Sequence, residues 1–145
     1  MAMNEQQTTR AIFAGGHTVA VVGLSPKAWR ESFGVSRAMQ AAGWRIIPVN
    51  PVVAERGETI LGEKAYATLA DAALHESIDL VNVFRNSEDV PPVMEEAIAT
   101  GAPAVWLQMG IRHDVAAARA RAAGLNVVQD RCLKVEWMMR DRSST

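Results

Sequence analysis

In Thr18-Val19-Ala20-Val21-Val22-Gly23 a short apolar run ends in a glycine. The chain continues as Leu24-Ser25-Pro26-Lys27-Ala28-Trp29-Arg30-Glu31-Ser32-Phe33-Gly34 before a helical pattern begins. This order predicts a buried strand, a loop and a helix start. Because a helix N-terminus offers unpaired backbone N–H groups and the positive end of the helix dipole, the unit is suited to holding a phosphate or pyrophosphate.

Four more apolar runs follow, and most are rich in Val, Ile or Leu: Arg45–Val49, Leu80–Phe84, Ala104–Leu107 and Asn126–Val128. Continuous apolar runs are typical of strands that are buried on both faces of a parallel sheet. Ala-rich stretches of helical length lie between several of them: Val35–Ala42, Val90–Thr100 and Asp114–Ala123. A glycine directly follows each stretch, and the next strand begins almost at once. The pattern therefore predicts repeated βαβ units.

These units predict an α/β fold with a Rossmann-like, doubly wound, parallel five-stranded sheet in the order 3-2-1-4-5 and helices on both faces. The ligand of such a sheet lies beyond the carboxyl ends of the strands, and we expect the switch point between predicted strands 1 and 4. Pro51–Ser77 is predicted to be a loop with a short extended piece and one short helix, Leu69–Leu74. A short closing helix is predicted over Lys134–Arg140.

The chain has 145 residues, enough for one compact domain and too few for two of ordinary size. We expect a single domain over residues 1–145 with its core at about residues 18–136. Residues 1–16 are interpreted as a leading helix or a tail, with Asn4–Ala14 as the helix candidate, and residues 141–145 as a tail.

The charge balance argues against a broad basic surface, because 15 Lys and Arg stand against 16 Asp and Glu. Nucleic acid is therefore not an expected partner. No apolar segment approaches the roughly 20 residues that span a bilayer, so we expect no membrane association. The single cysteine, Cys132, cannot form an internal disulfide, and no secretion signal is recognisable. The default location is then cytoplasmic.

The first loop lacks the dinucleotide fingerprint G-x-G-x-x-G, because counting from Gly23 the second and third glycine positions hold Ser25 and Ala28. NAD-binding proteins also place an acidic residue at the end of strand 2, where this chain has Asn50-Pro51. The missing carboxylate argues against NAD and favours a ligand with an extra phosphate on its ADP-ribose. No Ser-His-Asp order, metal-ligand spacing or P-loop lysine is present, so we expect neither catalysis nor a metal.

Six motifs occur in one order along the chain: Val22-Gly23-Leu24-Ser25, Val49-Asn50-Pro51, Val83-Phe84-Arg85, Val90-Pro91-Pro92, Val105-Trp106-Leu107-Gln108 with Gly110, and Asp130-Arg131-Cys132. Together they resemble the small bacterial CoA-binding proteins, a family similar to the CoA-binding domain of the succinyl-CoA synthetase alpha subunit. The resemblance covers roughly Thr18 to Glu136. It implies a Rossmann-like fold that binds CoA across the strand carboxyl ends and has no attached catalytic domain. The catalytic histidine context of the synthetase is missing, so phosphohistidine chemistry is not implied.

The resemblance also implies a set of CoA-binding residues in the loops after the strands. The first loop, with Gly23 and Leu24, would meet the diphosphate through Ser25, Lys27 and Arg30 and through the amides near Ser32–Gly34. Beside the adenosine would lie Asn50 and Pro51. The nucleotide would be flanked by Phe84, Arg85 and Ser87, and the pantetheine side would be formed by Gln108 and Gly110.

The leading hypothesis is non-catalytic binding of coenzyme A or an acyl-CoA. The alternative is an NAD(P)-binding regulator or oxidoreductase on the same fold, although the broken fingerprint and the missing acid argue against it. A third hypothesis is an interaction protein that has lost its ligand. The retained cations Lys27, Arg30 and Arg85 favour the first hypothesis. A homodimer or a protein partner is compatible with it.

Overall fold

The computed structural model describes residues 3–140, and strands and helices alternate along them. The strands are β1 (Thr18–Val22), β2 (Arg45–Val49), β3 (Thr59–Ile60), β4 (Glu63–Lys64), β5 (Leu80–Val83), β6 (Ala104–Leu107) and β7 (Asn126–Val128). The helices are α1 (Glu5–Ala14), α2 (Glu31–Ala41), α3 (Pro51–Glu55), α4 (Leu69–His75), α5 (Val90–Thr100), α6 (Asp114–Ala122) and α7 (Leu133–Met138). The tail predicted over residues 141–145 lies outside the described residues.

The central sheet is parallel and has five strands in the order β2-β1-β5-β6-β7. β1 is an interior strand with β2 on one side and β5 on the other. Its pairing with β2 begins with Thr18 opposite Arg45, and its pairing with β5 begins with Val19 opposite Leu80. The strands β3 and β4 form a separate antiparallel hairpin. The predicted class, a Rossmann-like α/β fold with a five-stranded parallel sheet, is confirmed.

The predicted strand order, 3-2-1-4-5, is wrong. The third predicted strand is β5, and it lies beside β1 rather than outside β2. Tyr66 bridges to β2 instead: its N–H donates to Pro48 O at 2.9 Å, and its carbonyl accepts from Asn50 N at 2.9 Å. In the predicted numbering the order is 2-1-3-4-5, so the switch point falls between strands 1 and 3. The extended piece predicted within Pro51–Ser77 thus takes the place beside β2 that was expected for the third strand.

Helices cover both faces of the sheet and enclose two apolar cores. In β1, Ala20 and Val22 belong to the core that also contains side chains of α4, α5 and α6. Val19 and Val21 belong to the core that also contains side chains of α1, α2 and α7. Alternate residues of one strand are therefore buried on opposite sides, which explains why the strands are continuously apolar. The predicted double winding is confirmed.

Of the two interpretations of residues 1–16, the structure has the helix. Asn4 and Gln7 form a capping box at its start, with Gln7 N donating to Asn4 Oδ1 at 2.8 Å. The ring of Phe13 stacks on Trp106 with centroids 5.7 Å apart and meets Trp137 edge-on at 5.1 Å. α1 is thus packed against the sheet through an aromatic cluster.

An ion pair holds the start of α1 to the loop after β7. Arg131 Nε donates to Glu5 Oε1 at 2.5 Å, and this hydrogen bond raises the pKa of the Arg131 guanidinium. Both side chains are about half exposed. Because exposed pairs contribute little to stability, the aromatic contacts are the main attachment of the helix.

We expect Phe13→Ala to lower the free energy of unfolding by about 2–4 kcal/mol, because it removes the ring that packs among the indoles of Trp44, Trp106 and Trp137. Urea denaturation measures this change. Leu74→Ala is the control, since Leu74 is 79% exposed, and it should change the same quantity by less than about 0.5 kcal/mol. Equal effects of the two substitutions would contradict the packing of α1.

Candidate functional site

A cleft of about 620 Å³ opens at the carboxyl ends of β1, β5 and β6. Three loops and one helix start line it: Gly23, Ser25 and Arg30–Ser32 after β1, Phe84–Ser87 after β5, and Gln108–Ile111 after β6. β1 and β5 are neighbours in the sheet, and the helices that follow them pack on opposite faces. The cleft is therefore at the switch point, where open α/β sheets bind ligands.

The cleft brings together most of the predicted site residues. Those that line it are Gly23, Ser25, Arg30, Ser32, Phe84, Arg85, Ser87, Gln108 and Gly110. The predicted residues that do not line it are Leu24, Lys27, Gly34, Asn50 and Pro51. The cleft is also lined by Glu31, Asn86, Met109 and Ile111, which were not predicted as binding residues although each is a chain neighbour of one that was. Proximity to a strand end was the property that could have identified them.

Gly23 stands where β1 ends, and its φ of +88° lies in the left-handed region that side chains rarely adopt. A Cβ at this position would collide with the carbonyl oxygen of Phe84. The Gly23 N–H donates to Val49 O at 3.1 Å. The glycine therefore lets the ends of β1 and β5 approach each other. The fold itself requires a glycine at this position, whether or not a ligand binds.

Hydrogen bonds fold the first loop back on the start of α2. Ser25 N donates to Ser32 Oγ at 3.0 Å, and Lys27 N donates to Ser25 Oγ at 3.1 Å. Leu24, just before them, has a fully buried side chain, so only its backbone is available to a ligand. The loop that was predicted to hold phosphate thus has a defined shape.

Asn50 connects this loop to the end of β2. Its Nδ2 donates to Leu24 O at 3.0 Å. Its Oδ1 accepts from the N–H groups of Val52 and Val53 at 3.0 and 3.1 Å, which caps α3. Pro51 is the first residue of α3, a position that suits proline because its missing N–H would have no helical partner. Most of the bonding capacity of the Asn50 amide is therefore used within the protein.

α2 begins at Glu31, four residues before the predicted Val35. The N–H groups of the first turn, from Glu31 to Phe33, have no carbonyl within the helix to bind. The Gly34 N–H differs, because it already donates to Arg30 O at 3.2 Å. Arg30 is the N-cap residue and makes no side-chain capping bond. The start of α2 therefore keeps free amide donors beside the cleft.

Arg30 and Arg85 line the cleft and are exposed. Among residues 3–140, neither of them takes part in an ion pair, and the same holds for Lys27. Glu31 brings an opposing charge, and its Oε1 lies 3.5 Å from Gln108 Nε2. The cleft thus has two uncompensated guanidinium groups against one carboxylate, which favours an anionic ligand.

Side chains outside the loop after β6 hold that loop in place. Three backbone N–H groups of the loop donate to side-chain oxygens elsewhere in the protein. These bonds run from Gly110 to Asp130, from Arg112 to Ser87 and from His113 to Gln129, at 2.7, 3.0 and 2.8 Å respectively. Gln108 is 1% exposed, and its Oε1 accepts from Leu133 N at 3.3 Å. This wall of the cleft is therefore formed in advance of binding.

A larger groove, of about 940 Å³, lies between α1 and α7. Phe13, His17 and Trp137 contribute its aromatic surface, and the pair of Glu5 and Arg131 lies along it. It contains none of the predicted site residues and no loop that follows β1, β5 or β6. The smaller cleft is the better candidate, because the free amides and the uncompensated arginines converge there.

Within residues 3–140, no group of three or more His, Cys, Asp or Glu side chains is arranged to hold a metal ion. Cys132 is buried and has no disulfide partner. In the same part of the chain, no helix has both the length and the apolar character needed to cross a membrane.

The sequence model for the CoA binding domain matches residues 17–138. The uncharacterized protein YneT of Bacillus subtilis is 45% identical over 117 residues, which are 81% of this chain and 82% of that protein. The solved structure of cell-free ID.343 from Thermus thermophilus is similar with a TM-score of 0.84 at 38% identity, covering 94% of this chain and 98% of that one. A hypothetical protein from Pyrococcus horikoshii OT3 has a TM-score of 0.82 at 29% identity, covering 95% and 97%.

We expect Gly23→Ala to destabilise the protein by about 2 kcal/mol or more, because the new Cβ adds left-handed strain to a collision with Phe84 O. Gly34→Ala is the matched control. Gly34 lies within α2, and a Cβ added there would meet no atom within 4 Å, so alanine should stabilise by about 0.5–1 kcal/mol. Urea denaturation compares the two, and a similar sign for both would contradict the role assigned to Gly23.

Proposed function

This chain belongs to the family of CoA-binding domains, and on that premise we propose that it binds coenzyme A or an acyl-CoA in the cleft at the strand carboxyl ends. We also propose that it catalyses no reaction of its own. The observation that carries the proposal is the convergence of two uncompensated arginines, Arg30 and Arg85, on the free N-terminus of α2. CoA offers a diphosphate and a 3′-phosphate to such a site.

The diphosphate fits the start of α2. The amides from Glu31 to Phe33 can donate to its oxygens, and the helix dipole favours negative charge there. Arg30 and Arg85 supply charge-assisted hydrogen bonds, which contribute about 1.5–3 kcal/mol each. The stem of Arg85 passes close to Gly23, because its Cδ lies 3.4 Å from the position of a Cβ on that glycine. Both cations can therefore act on the same part of the ligand.

The pantetheine arm fits the wall after β6. Met109, which is 57% exposed, and Ile111 offer apolar surface to its carbon chain. Gly110 and Gln108 line the same wall, and their N–H and side-chain amide groups are already bonded to Asp130, Leu133 and Glu31, so the arm would meet a preformed surface there. Because hydrogen bonds already fix this loop, little conformational entropy would be lost on binding.

The composition of the cleft supports binding without catalysis. Among the described residues that line it, Glu31 is the one carboxylate, and there is no histidine, cysteine or lysine. A nucleophilic serine needs an adjacent base, yet Ser25, Ser32 and Ser87 accept hydrogen bonds from backbone N–H groups. Within residues 3–140, no acid and base pair is therefore assembled at the site.

An NAD(P)-linked regulator or oxidoreductase is the alternative function. The end of β2 carries Asn50 in place of the acid that binds ribose hydroxyls, and the amide of Asn50 is already bonded to Leu24 O and to α3. These features favour CoA over a dinucleotide.

We propose the cytoplasm as the location of the protein, because its single cysteine is typical of a reducing compartment. Association with a second copy of this chain or with another protein stays an expectation.

We expect the purified protein to bind CoA with a dissociation constant near micromolar, about 8 kcal/mol of binding free energy, since one phosphate site and an adenosine contact must outweigh the ordering of the ligand. Isothermal titration calorimetry measures this affinity, and native mass spectrometry identifies any ligand that co-purifies. Binding of NAD or NADP without binding of CoA or acetyl-CoA at millimolar concentration would support the alternative.

Arg30→Ala and Arg85→Ala should each weaken CoA binding by roughly 10- to 150-fold, and the affinity of the native protein should fall as salt screens the charges. Arg119→Ala is the matched control, because Arg119 pairs with Glu95 on the exposed surface of α6 and α5. In the same titrations, Lys27→Ala and the ligand dephospho-CoA, which lacks the 3′-phosphate, test whether Lys27 binds that phosphate. Unchanged affinity in all three variants, Arg30→Ala, Arg85→Ala and Lys27→Ala, would mean that backbone amides alone hold the phosphates.

A further inference from the structure

Trp29 is exposed, unlike the other three tryptophans of the chain. Trp44, Trp106 and Trp137 are 2%, 0% and 8% exposed, whereas Trp29 is 78% exposed. An indole gains more from burial than almost any other side chain, so the ring of Trp29 is a large contact surface that the protein itself leaves uncovered.

Trp29 is not among the residues that line the cleft, but its place in the chain is next to one that does. Trp29 directly precedes Arg30, which lines the cleft and caps α2. Adjacent Cα atoms are about 3.8 Å apart, so the indole is within side-chain reach of a ligand that Arg30 binds. A turn holds it there, because Arg30 N donates to Lys27 O at 3.0 Å across Ala28 and Trp29.

The ring already attracts one cation. Lys27 Nζ lies 5.8 Å from its centroid, within the range of a cation–π contact. This contact leaves most of the indole accessible to a flat group. The exposed ring and the cations next to it therefore form a surface that suits a planar base joined to phosphate.

We propose that Trp29 stacks on the adenine of the bound ligand, an inference that rests on the proposed CoA binding. The diphosphate at Arg30 and the start of α2 leaves adenosine on the side of the first loop, because the pantetheine arm extends toward Gln108 and Gly110. Stacking of a base on an aromatic side chain changes affinity by roughly 5- to 150-fold on substitution by alanine. Trp29 is thus the residue that selects for the adenosine half of CoA.

Two ligands separate this role from a general effect on the loop: CoA, and 4′-phosphopantetheine, which lacks adenosine. Calorimetry with Trp29→Ala should show CoA affinity reduced by roughly 5- to 150-fold and 4′-phosphopantetheine affinity unchanged. Trp29→Phe keeps an aromatic face and should retain CoA affinity to within about 5-fold. Met109→Ala is the matched control on the pantetheine side, and it should weaken both ligands by a similar factor.

Fluorescence gives a second readout. CoA should quench the tryptophan emission of the native protein, and the quenching should disappear in Trp29→Phe because the remaining indoles are buried. An equal loss of affinity for both ligands in Trp29→Ala, or no loss for either, would overturn the stacking of Trp29 while CoA binding stands. Failure of the native protein to bind CoA would overturn the proposed function and this inference with it.

Discussion

The close approach of Gly23 to the carbonyl oxygen of Phe84 is the constraint on which the site depends. It lets β1 and β5 run side by side to their carboxyl ends. Beyond that point the chain diverges, since α2 packs on one face of the sheet and α5 on the other. The divergence opens the cleft, exposes the N-terminus of α2 to it and brings Arg30 and Arg85 to its walls.

The strands and most helices were predictable because their apolar residues are patterned. α5 spans Val90–Thr100, as predicted, since its start has proline and its end has a glycine cap. The strand order was not predictable, because the bridge at Tyr66 is one residue long and leaves no apolar run. α3 was missed because Val52 and Val53 are β-branched, and such residues have low helix propensity. The start of α2 was misplaced because Arg30 makes no side-chain capping bond and Gly34 suggests a loop.

The position of the site was predictable for a different reason. Residues that directly follow parallel strands must meet at one edge of the sheet, so Gly23, Arg85 and Gln108 could be assigned together. Position alone does not show where a side chain is bonded. Asn50 stands after a strand as expected, yet its amide caps α3 and binds Leu24 O, so its contribution is to shape the first loop. The fixed walls and the free cations together suit the anion binding that we propose.

Under the proposed function, CoA binds where β1 and β5 diverge and not in the larger groove between α1 and α7. Backbone amide NMR spectra during a CoA titration test it most directly, because they report on every residue at once. Binding in the cleft should give the largest chemical-shift changes at the amides of Glu31–Phe33 and Gly110, with Phe13 and Trp137 unaffected. Changes centred on Phe13 and Trp137, or no changes at millimolar CoA, would contradict it.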